Sequence, residues 1–187
     1  ILVNREPGNL AFHHRLLLAY SWSERREETI EEMEQMAAIL KRDHRNDEAA
    51  FDLYLKIVSL DENDVKAREI LAGIYLEKGL RSMALGHLMH LAEALIKKEL
   101  PAKALEVYQK IHSLTQATAI QEKIAALHLN QGNREEALKE YRALARGYSE
   151  RQELSNAAEA LGKILLLTPE DIETHQKLIA IYHQQGD

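Results

Sequence analysis

The sequence contains no cysteine and is poor in the residues that interrupt helices. Its 187 residues include 8 glycines, 3 prolines and only 5% aromatic residues. The absence of cysteine excludes disulfide bonds, thiol nucleophiles and thiolate metal sites. Few glycines and prolines, together with few runs of β-branched residues, favour helices over strands.

The sequence also lacks a long apolar run and an excess of positive charge. No apolar stretch approaches the roughly 18 residues of a membrane-spanning helix, so no membrane insertion is expected. The 24 basic residues are spread along the chain among 30 acidic ones, for a net charge of −6. This balance argues against a nucleic-acid partner or an anionic membrane surface.

The N-terminal residues show no sign of a targeting segment. The chain begins at Ile1 without Met, and no basic region followed by an apolar stretch is present, so we interpret it as a fragment of a longer protein. The absence of cysteine leaves the compartment open, with the cytoplasm favoured.

Motifs for catalysis and for cofactor binding are missing. The glycines are isolated and most lie where helices are predicted to end, so no Gly-rich phosphate loop exists. The sequence has no G-x-S-x-G motif, and no serine has a histidine at a meaningful spacing. We therefore expect no enzymatic activity, no catalytic residue and no cofactor.

Nine histidines suggest a metal site as an alternative. His87 and His90 are three residues apart in a predicted helix and could reach one ion, and His13 is adjacent to His14. No acidic residue accompanies them at metalloprotease spacing. We interpret the histidines as solvated residues on helix faces and predict no metal.

The sequence does contain apolar residues with helical spacing, most clearly on either side of Gly79. On each side, apolar residues four positions apart lie on one helix face. Gly79 stands where a glycine in the left-handed conformation ends a helix. The stretch therefore predicts a helical hairpin whose apolar faces touch. The two apolar pairs are Leu71 with Tyr75 and Ala84 with Leu88.

Polar clusters divide the rest of the chain into further helices. Asn9, Asn46 and the segment 61–64 each precede an apolar stripe and are predicted to supply an N-cap. Before the last stripe, Thr168 is predicted as the N-cap with Pro169 at the first helical position. Trp22 is the sole tryptophan and falls at a helix end, where it is either a hydrophobic staple or an exposed anchor.

Small residues mark the start of one type of helix at regular intervals. The gaps between successive markers are 21, 34, 20, 33 and 20 residues. They alternate, so the complete unit has about 54 residues and contains three helices. Segments 49–60, 103–114 and 156–167 match one another in register. The markers are Thr29, Ala50, Ala84, Ala104, Ala137 and Ala157.

These residues resemble the tetratricopeptide repeat (TPR) family, whose unit of about 34 residues has Leu, a small residue and Tyr on its first helix, then Gly, then Ala and Leu. The residues that match are Leu71, Ala72, Tyr75, Gly79, Ala84, Leu88 and Leu91, then Leu178, Tyr182 and Gly186, preceded by Ala157, Leu161, Ile164 and Pro169.

The resemblance implies an all-α fold, a right-handed α-solenoid of about ten antiparallel helices. Residues 1–187 are expected to form a single array of TPR-like helical hairpins. The alternating gaps imply that long helices, such as Arg81 to Lys98, are shared between neighbouring repeats. The chain departs from the family at Glu99 and Gln152, where glycine is usual.

In this family, ligands lie in a concave groove lined by the first helices of the hairpins. Small residues at these positions would let a bound segment approach closely, and Leu76 and Leu129 would offer it apolar contact. Glu69 and Glu122 favour an apolar or basic segment, such as an amphipathic helix. The predicted groove residues are His14, Leu18, Glu69, Gly73, Leu76, Glu122, Ala126, Leu129, Gln176, Ala180 and His183.

The resemblance supports a non-catalytic scaffold that binds a peptide or helix of a partner protein. The alternative is a structural module that forms homo-oligomers through its open terminal repeat faces. A further alternative is a regulatory domain of an enzyme encoded elsewhere in a longer chain. Concentration-dependent sedimentation would favour self-assembly over the scaffold.

Overall fold

The computed structural model describes residues 8–43 and 45–186, and every regular element within these ranges is a helix, with no strand. Ten helices lie within them, so the predicted all-α class is confirmed. They are α1 Leu10–Trp22, α2 Arg26–Asp43, α3 Asp47–Leu60, α4 Val65–Glu77, α5 Arg81–Lys97, α6 Pro101–Thr115, α7 Thr118–Asn130, α8 Arg134–Glu150, α9 Leu154–Leu167 and α10 Ile172–Gln185.

Side-chain caps fix the starts of four helices. The side chains of Asn9, Asn46 and Asp64 accept hydrogen bonds from backbone N–H groups in the first turns of α1, α3 and α4, as predicted. The predicted start at Thr168 is wrong. Helix α10 begins at Ile172, and Asp171 caps it by accepting from the N–H of Thr174 at 3.1 Å, while Thr168 ends α9.

Several helices end at a residue in the left-handed conformation. Gly79 and Gly132 have φ values of 72° and 78°, which a glycine adopts without steric cost. Glu99 and Gln152 adopt the same conformation, with φ values of 58° and 61°. The turn geometry is therefore kept at the two positions where the sequence lacks the glycine.

Helices α1 to α5 belong to one compact unit, residues 1–98. Within it each helix packs against the next along the chain. One buried cluster joins α2, α3, α4 and the start of α5, which follows from the apolar stripes. Its buried members are Met33, Ala37, Ala50, Leu53, Tyr54, Ile57, Ala67, Leu71, Tyr75 and Ala84.

Helices α6 to α10 belong to a second compact unit, residues 99–187, in which consecutive helices again pack together. Its buried cluster is Ala125, Ala137, Tyr141, Leu144, Ala145, Tyr148, Ala157, Ala160, Leu161, Ile164 and Ile181. That residues 1–187 form one continuous array stays a prediction. Among the described residues, no helix has both the length and the apolar character needed to cross a membrane.

Candidate partner-binding surfaces

The predicted groove residues of the first unit lie on accessible faces of α1 and α4. Glu69 is exposed, and Gly73 and Leu76 are half-buried on the same side of α4. A Cβ built on Gly73 would meet no atom within 4 Å, so packing within this unit does not require the glycine. On α1, His14 and Leu18 are both exposed.

The second unit presents its predicted groove residues on α7 and α10. Glu122 and Ala126 are exposed on α7, and Leu129 is half-buried against the core. The carboxylate of Glu122 accepts a hydrogen bond from the hydroxyl of Tyr148 on α8. Gln176, Ala180 and His183 are all exposed on α10.

Two separate cavities receive the α7 and α10 residues. Glu122 shares a small cavity with Tyr141 and Leu144 of α8 and with Asn156, Glu159, Ala160 and Lys163 of α9. Ala180 lines a different cavity, together with Leu154, Leu161 and Ile164 of α9. The structure therefore brings Glu122 and Ala180 to different faces of α9 and does not place them in one groove.

The arrangement of helices explains this separation. The first cavity is lined by α7, α8 and α9, and the second by α8, α9 and α10. The predicted repeat of three helices, an odd number, would put equivalent helices such as α7 and α10 in alternate layers of an antiparallel stack.

We call the second cavity the unit-2 groove. It has a volume of about 820 Å³. Its apolar lining comes from Ala145, Leu154, Leu161, Ile164, Ala180 and Ile181, and its polar lining from Arg142, Arg146, Ser149, Gln152, Asp171, Glu173, Thr174, Lys177 and Gln184.

Ion pairs occupy most of the charged groups along the unit-2 groove. Arg142 donates to Asp171 Oδ2 at 3.2 Å, and Lys177 Nζ donates to Glu173 Oε1 at 2.6 Å. The N–H of Thr174 and then the guanidinium of Arg142 lower the pKa of Asp171, so its carboxylate is charged at neutral pH. Among the described residues no ion pair includes Arg146, which leaves one cation available at the rim.

A polar contact between the first two helices of the repeat is a feature that sequence reasoning missed. Nδ1 of His13 on α1 contacts Glu32 of α2, and both side chains are almost fully buried. At the equivalent positions, Gln121 of α7 donates to Glu140 of α8 at 2.9 Å. The interpretation of His13 as a solvated residue is therefore wrong. Aligning the copies by their predicted helix ends would have put these polar pairs in register.

Between α4 and α5, the equivalent positions hold Arg68 and His87 in place of a contact with an acid. Arg68 of α4 is buried, and its Nε donates to the carbonyl of Glu62. Burial of the nearby His87 lowers the pKa of its imidazole, and the charge of Arg68 lowers it further. The imidazole of His87 stacks on the ring of Tyr75, with centroids 5.3 Å apart.

Neither a metal site nor a hydrophobic staple emerges from the remaining candidates. Within the described ranges no three His, Asp or Glu side chains converge as a metal site would require. His90 lies on an exposed face, 3.9 Å from Glu93. Trp22 is 85% exposed, so of the two alternatives for this residue the structure supports an exposed position.

Comparison with known proteins supports the fold and gives no close relative. No model of a known protein family matches the sequence, and no curated protein matches it. Two crystal structures of nearly identical TPR-like repeats, from a protein of Podosopora anserina described as a putative kinesin light chain, superpose with a TM-score of 0.50.

Both are 18% identical to this chain over 96% of its length, and the match spans 95% and 96% of their own lengths. Similarity at this level of identity speaks to the fold alone. Together with the ten helices and the buried stripes, it establishes that the chain has the fold of the TPR-like helical repeat proteins.

Proposed function

We propose that the chain is a non-catalytic scaffold that holds a segment of a partner protein in the unit-2 groove. The observation that carries the proposal is the groove itself, about 820 Å³ of space between α8 and α10 over an apolar floor. Stacked helical repeats present extended surfaces of this kind, and their stability does not depend on filling them.

The lining of the groove favours a particular partner chemistry. Leu154 is half-buried and offers contact to an apolar side chain, and the exposed Ala180 leaves room for close approach. Leu161, Ile164 and Ile181 are buried and close the floor of the groove beneath them. Because two of the three cations at the rim are already paired, Arg146 is the group that would receive a carboxylate. An apolar segment with one acidic residue fits these features.

The earlier expectation of a basic segment rests on other residues. Glu69 lies in the first unit, and Glu122 lies in the smaller cavity on another face of α9. A basic partner for those residues stays a prediction, as does self-assembly through the terminal faces.

Fluorescence anisotropy with two labelled helical peptides tests the proposal. Both peptides carry leucines on one face, and the opposite face is acidic in one and basic in the other. We expect saturable binding of the acidic peptide to the full chain. Ala180→Trp, which fills the groove, and Arg146→Glu, which reverses its available charge, should each weaken that binding at least about tenfold.

Matched controls on α8 separate groove binding from general effects. Ala143 and Lys139 are exposed and line neither cavity, so Ala143→Trp and Lys139→Glu should leave the affinity unchanged. Equal affinity for the Ala180→Trp variant, or failure of both peptides to bind, would refute the groove as the binding site.

A further inference from the structure

The small cavity lined by α7, α8 and α9 contains a buried phenol that has no hydrogen-bond partner. Tyr141 of α8 lines this cavity together with Glu122 of α7. Tyr141 is only 7% exposed, and within the described residues its hydroxyl makes no hydrogen bond. Because buried polar groups are nearly always hydrogen-bonded, a hydroxyl in this position indicates that the cavity receives a polar group from outside the chain.

A second phenol holds the carboxylate at the cavity. The hydroxyl of Tyr148 donates to Oε1 of Glu122, and Oε2 accepts no bond within the described residues. Burial and then the charge of Glu122 raise the pKa of Tyr141, and burial and then the hydrogen bond to Glu122 raise the pKa of Tyr148. Both phenols are therefore neutral at neutral pH.

The equivalent helix of the first unit shows that packing does not need these hydroxyls. Helices α5 and α8 both have 17 residues, so they align without a gap. In this alignment Leu88 stands in the place of Tyr141 and Leu95 in the place of Tyr148, and each leucine is 2% exposed. Leucine therefore suffices to pack the helix at both positions, and the two hydroxyls serve another purpose.

A small residue on α9 provides the space. Helices α3 and α9 both have 14 residues, and Ala160 stands where α3 has the buried Leu53. Ala160 lines the cavity, which has a volume of about 120 Å³. This is several times the roughly 30 Å³ that one water molecule takes up in the liquid. The cavity therefore has room for a planar group the size of a guanidinium.

Glu122 gives the cavity its net negative charge. The other charged lining residues, Glu159 and Lys163, are four positions apart on α9, where opposite charges balance each other. Among the described residues no ion pair includes Glu122. The same acid and lysine recur on α3 and α6, which marks them as an ordinary exposed pair of the repeat. Their equivalents are Asp52 with Lys56, and Glu106 with Lys110.

The acceptors around the cavity suit a guanidinium better than an ammonium. Oε2 of Glu122, the hydroxyl of Tyr141 and Oδ1 of Asn156 come from three different helices. Nδ2 of Asn156 donates to Glu153 at 3.0 Å, so its oxygen is the atom left for a ligand. A guanidinium spreads five N–H donors over a plane, whereas an ammonium directs three donors from one atom.

We propose that this cavity binds the guanidinium of an arginine side chain carried by a segment of a partner protein. Glu122, Tyr141 and Asn156 are its hydrogen-bond acceptors. The site is separate from the unit-2 groove, whose available charge is the cation Arg146. Glu69 of α4 is equivalent to Glu122 but has leucines in place of the two phenols, so it does not form a second site of this kind.

Nuclear magnetic resonance titration of the full chain with capped amino acids tests the proposal. The probes are the N-acetyl amides of arginine, of lysine and of citrulline, which has nearly the shape of arginine without its charge. About 150 mM salt screens nonspecific attraction to the acidic surface. We expect the arginine probe to give saturable shifts at the amides around Glu122, Tyr141 and Asn156, and the other two probes to bind at least about tenfold more weakly.

Variants of the cavity separate a binding role from a structural one. Tyr141→Phe removes only the hydroxyl, so the melting temperature should stay close to that of the parent chain while the affinity for the arginine probe falls at least about tenfold. Glu122→Gln should weaken binding to a similar extent. Glu69→Gln removes the equivalent acid of the first unit and is the matched control, which should leave the affinity unchanged.

Two further measurements fix the source of the guanidinium and the independence of the site. Free arginine has a carboxylate that can reach Lys163, so tighter binding of free arginine than of the capped form would assign the cavity to a small molecule and overturn the proposal. Tyr141→Phe should leave binding of the acidic peptide to the unit-2 groove unchanged, and Ala180→Trp should leave binding of the arginine probe unchanged. Failure of one site is therefore distinguishable from failure of the other.

Three other results would overturn the assignment. The first is an arginine probe that does not saturate or that binds the Tyr141→Phe variant equally well. The second is equal affinity for the citrulline or the lysine probe, which would show that the cavity does not recognise a guanidinium. The third is a set of shifts centred on α4 around Glu69, which would place the binding at the other acid.

Discussion

Replacing Glu32 with alanine should loosen the packing of α1 on α2 by about 3 to 5 kcal/mol. Glu32 is 3% exposed, and its partner His13 is 1% exposed. Deleting the carboxylate removes an acceptor from a buried imidazole, and buried polar groups that lose a partner are costly in a medium of low dielectric. The deletion also leaves a cavity at the helix interface.

A double substitution separates the loss of the polar contact from the loss of packing. Replacing both partners of a buried pair with apolar residues of similar volume is often neutral or stabilising. His13→Leu combined with Glu32→Leu should therefore recover most of the stability that Glu32→Ala loses. Glu32→Gln, which keeps the shape and a hydrogen-bonding group, should give an intermediate loss.

Hydrogen–deuterium exchange of the full chain is the most direct assay, because it reports the opening of α1 and α2 separately from other helices. A loss of about 3 to 5 kcal/mol corresponds to exchange that is roughly a hundredfold to several thousandfold faster in these two helices. Urea unfolding followed by circular dichroism provides the global comparison.

Two outcomes would refute this reasoning. Unchanged protection of α1 and α2 in the Glu32→Ala variant would show that the pair does not hold the helices together. A double-leucine variant as unstable as Glu32→Ala would show that the cost comes from packing rather than from the loss of the polar contact between Glu32 and His13.

Four other substitutions test the remaining packing, electrostatic and backbone arguments. Tyr75→Ala removes a side chain that is 7% exposed and contacts the rings of Phe51 and His87; it should lower the free energy of unfolding by about 2 to 5 kcal/mol in urea titrations, and an unchanged melting temperature would contradict the packing assignment. Burial, and then the charges of Arg68 and His90, lower the pKa of His87, so the folded state resists protonation of this imidazole. The stability that neutral His87 contributes is therefore complete above about pH 6.5 and is lost as the pH falls toward its lowered folded-state pKa. His87→Phe should therefore reduce the difference in melting temperature between pH 7 and pH 5, and a difference as large as that of the parent chain would show that His87 is not its source. Glu99 and Gln152 have left-handed backbones with φ of 58° and 61°, a conformation that strains a residue with a side chain by about 1 to 2 kcal/mol. Glu99→Gly and Gln152→Gly remove this strain, and the greater chain entropy of glycine in the unfolded state offsets part of the gain, so each should stabilise the folded chain by about 0.5 to 1 kcal/mol. A lower melting temperature would argue against strain at these turns.

The helices and their starts were largely predictable because they depend on neighbours in the sequence. Asn9, Asn46 and Asp64 cap helices through hydrogen bonds that span two or three residues. The start of α10 was mispredicted since Thr168-Pro169 and Asp171 are both plausible signals within four residues. The side chain of Asp171, which accepts from Thr174 and pairs with Arg142 of α8, decides between them.

The candidate sites were less predictable because they depend on which helices stand side by side. Ala180 is predicted as a groove residue and lines the unit-2 groove, and its contact with a partner stays a prediction. Arg146 is polar, exposed and outside the apolar pattern, so no sequence feature indicates it. His13 is predicted as a surface residue, because the burial of a histidine on an apolar stripe depends on the acid that meets it from another helix.

The amino-acid sequence by itself determined the class of fold and the positions of most of the helices. These follow from apolar spacing, caps and turns, which act over a few residues. Only the tertiary structure decided which faces open toward a partner. Glu122 of α7 and Ala180 of α10 line cavities on different sides of α9, and no local pattern in the sequence records that separation.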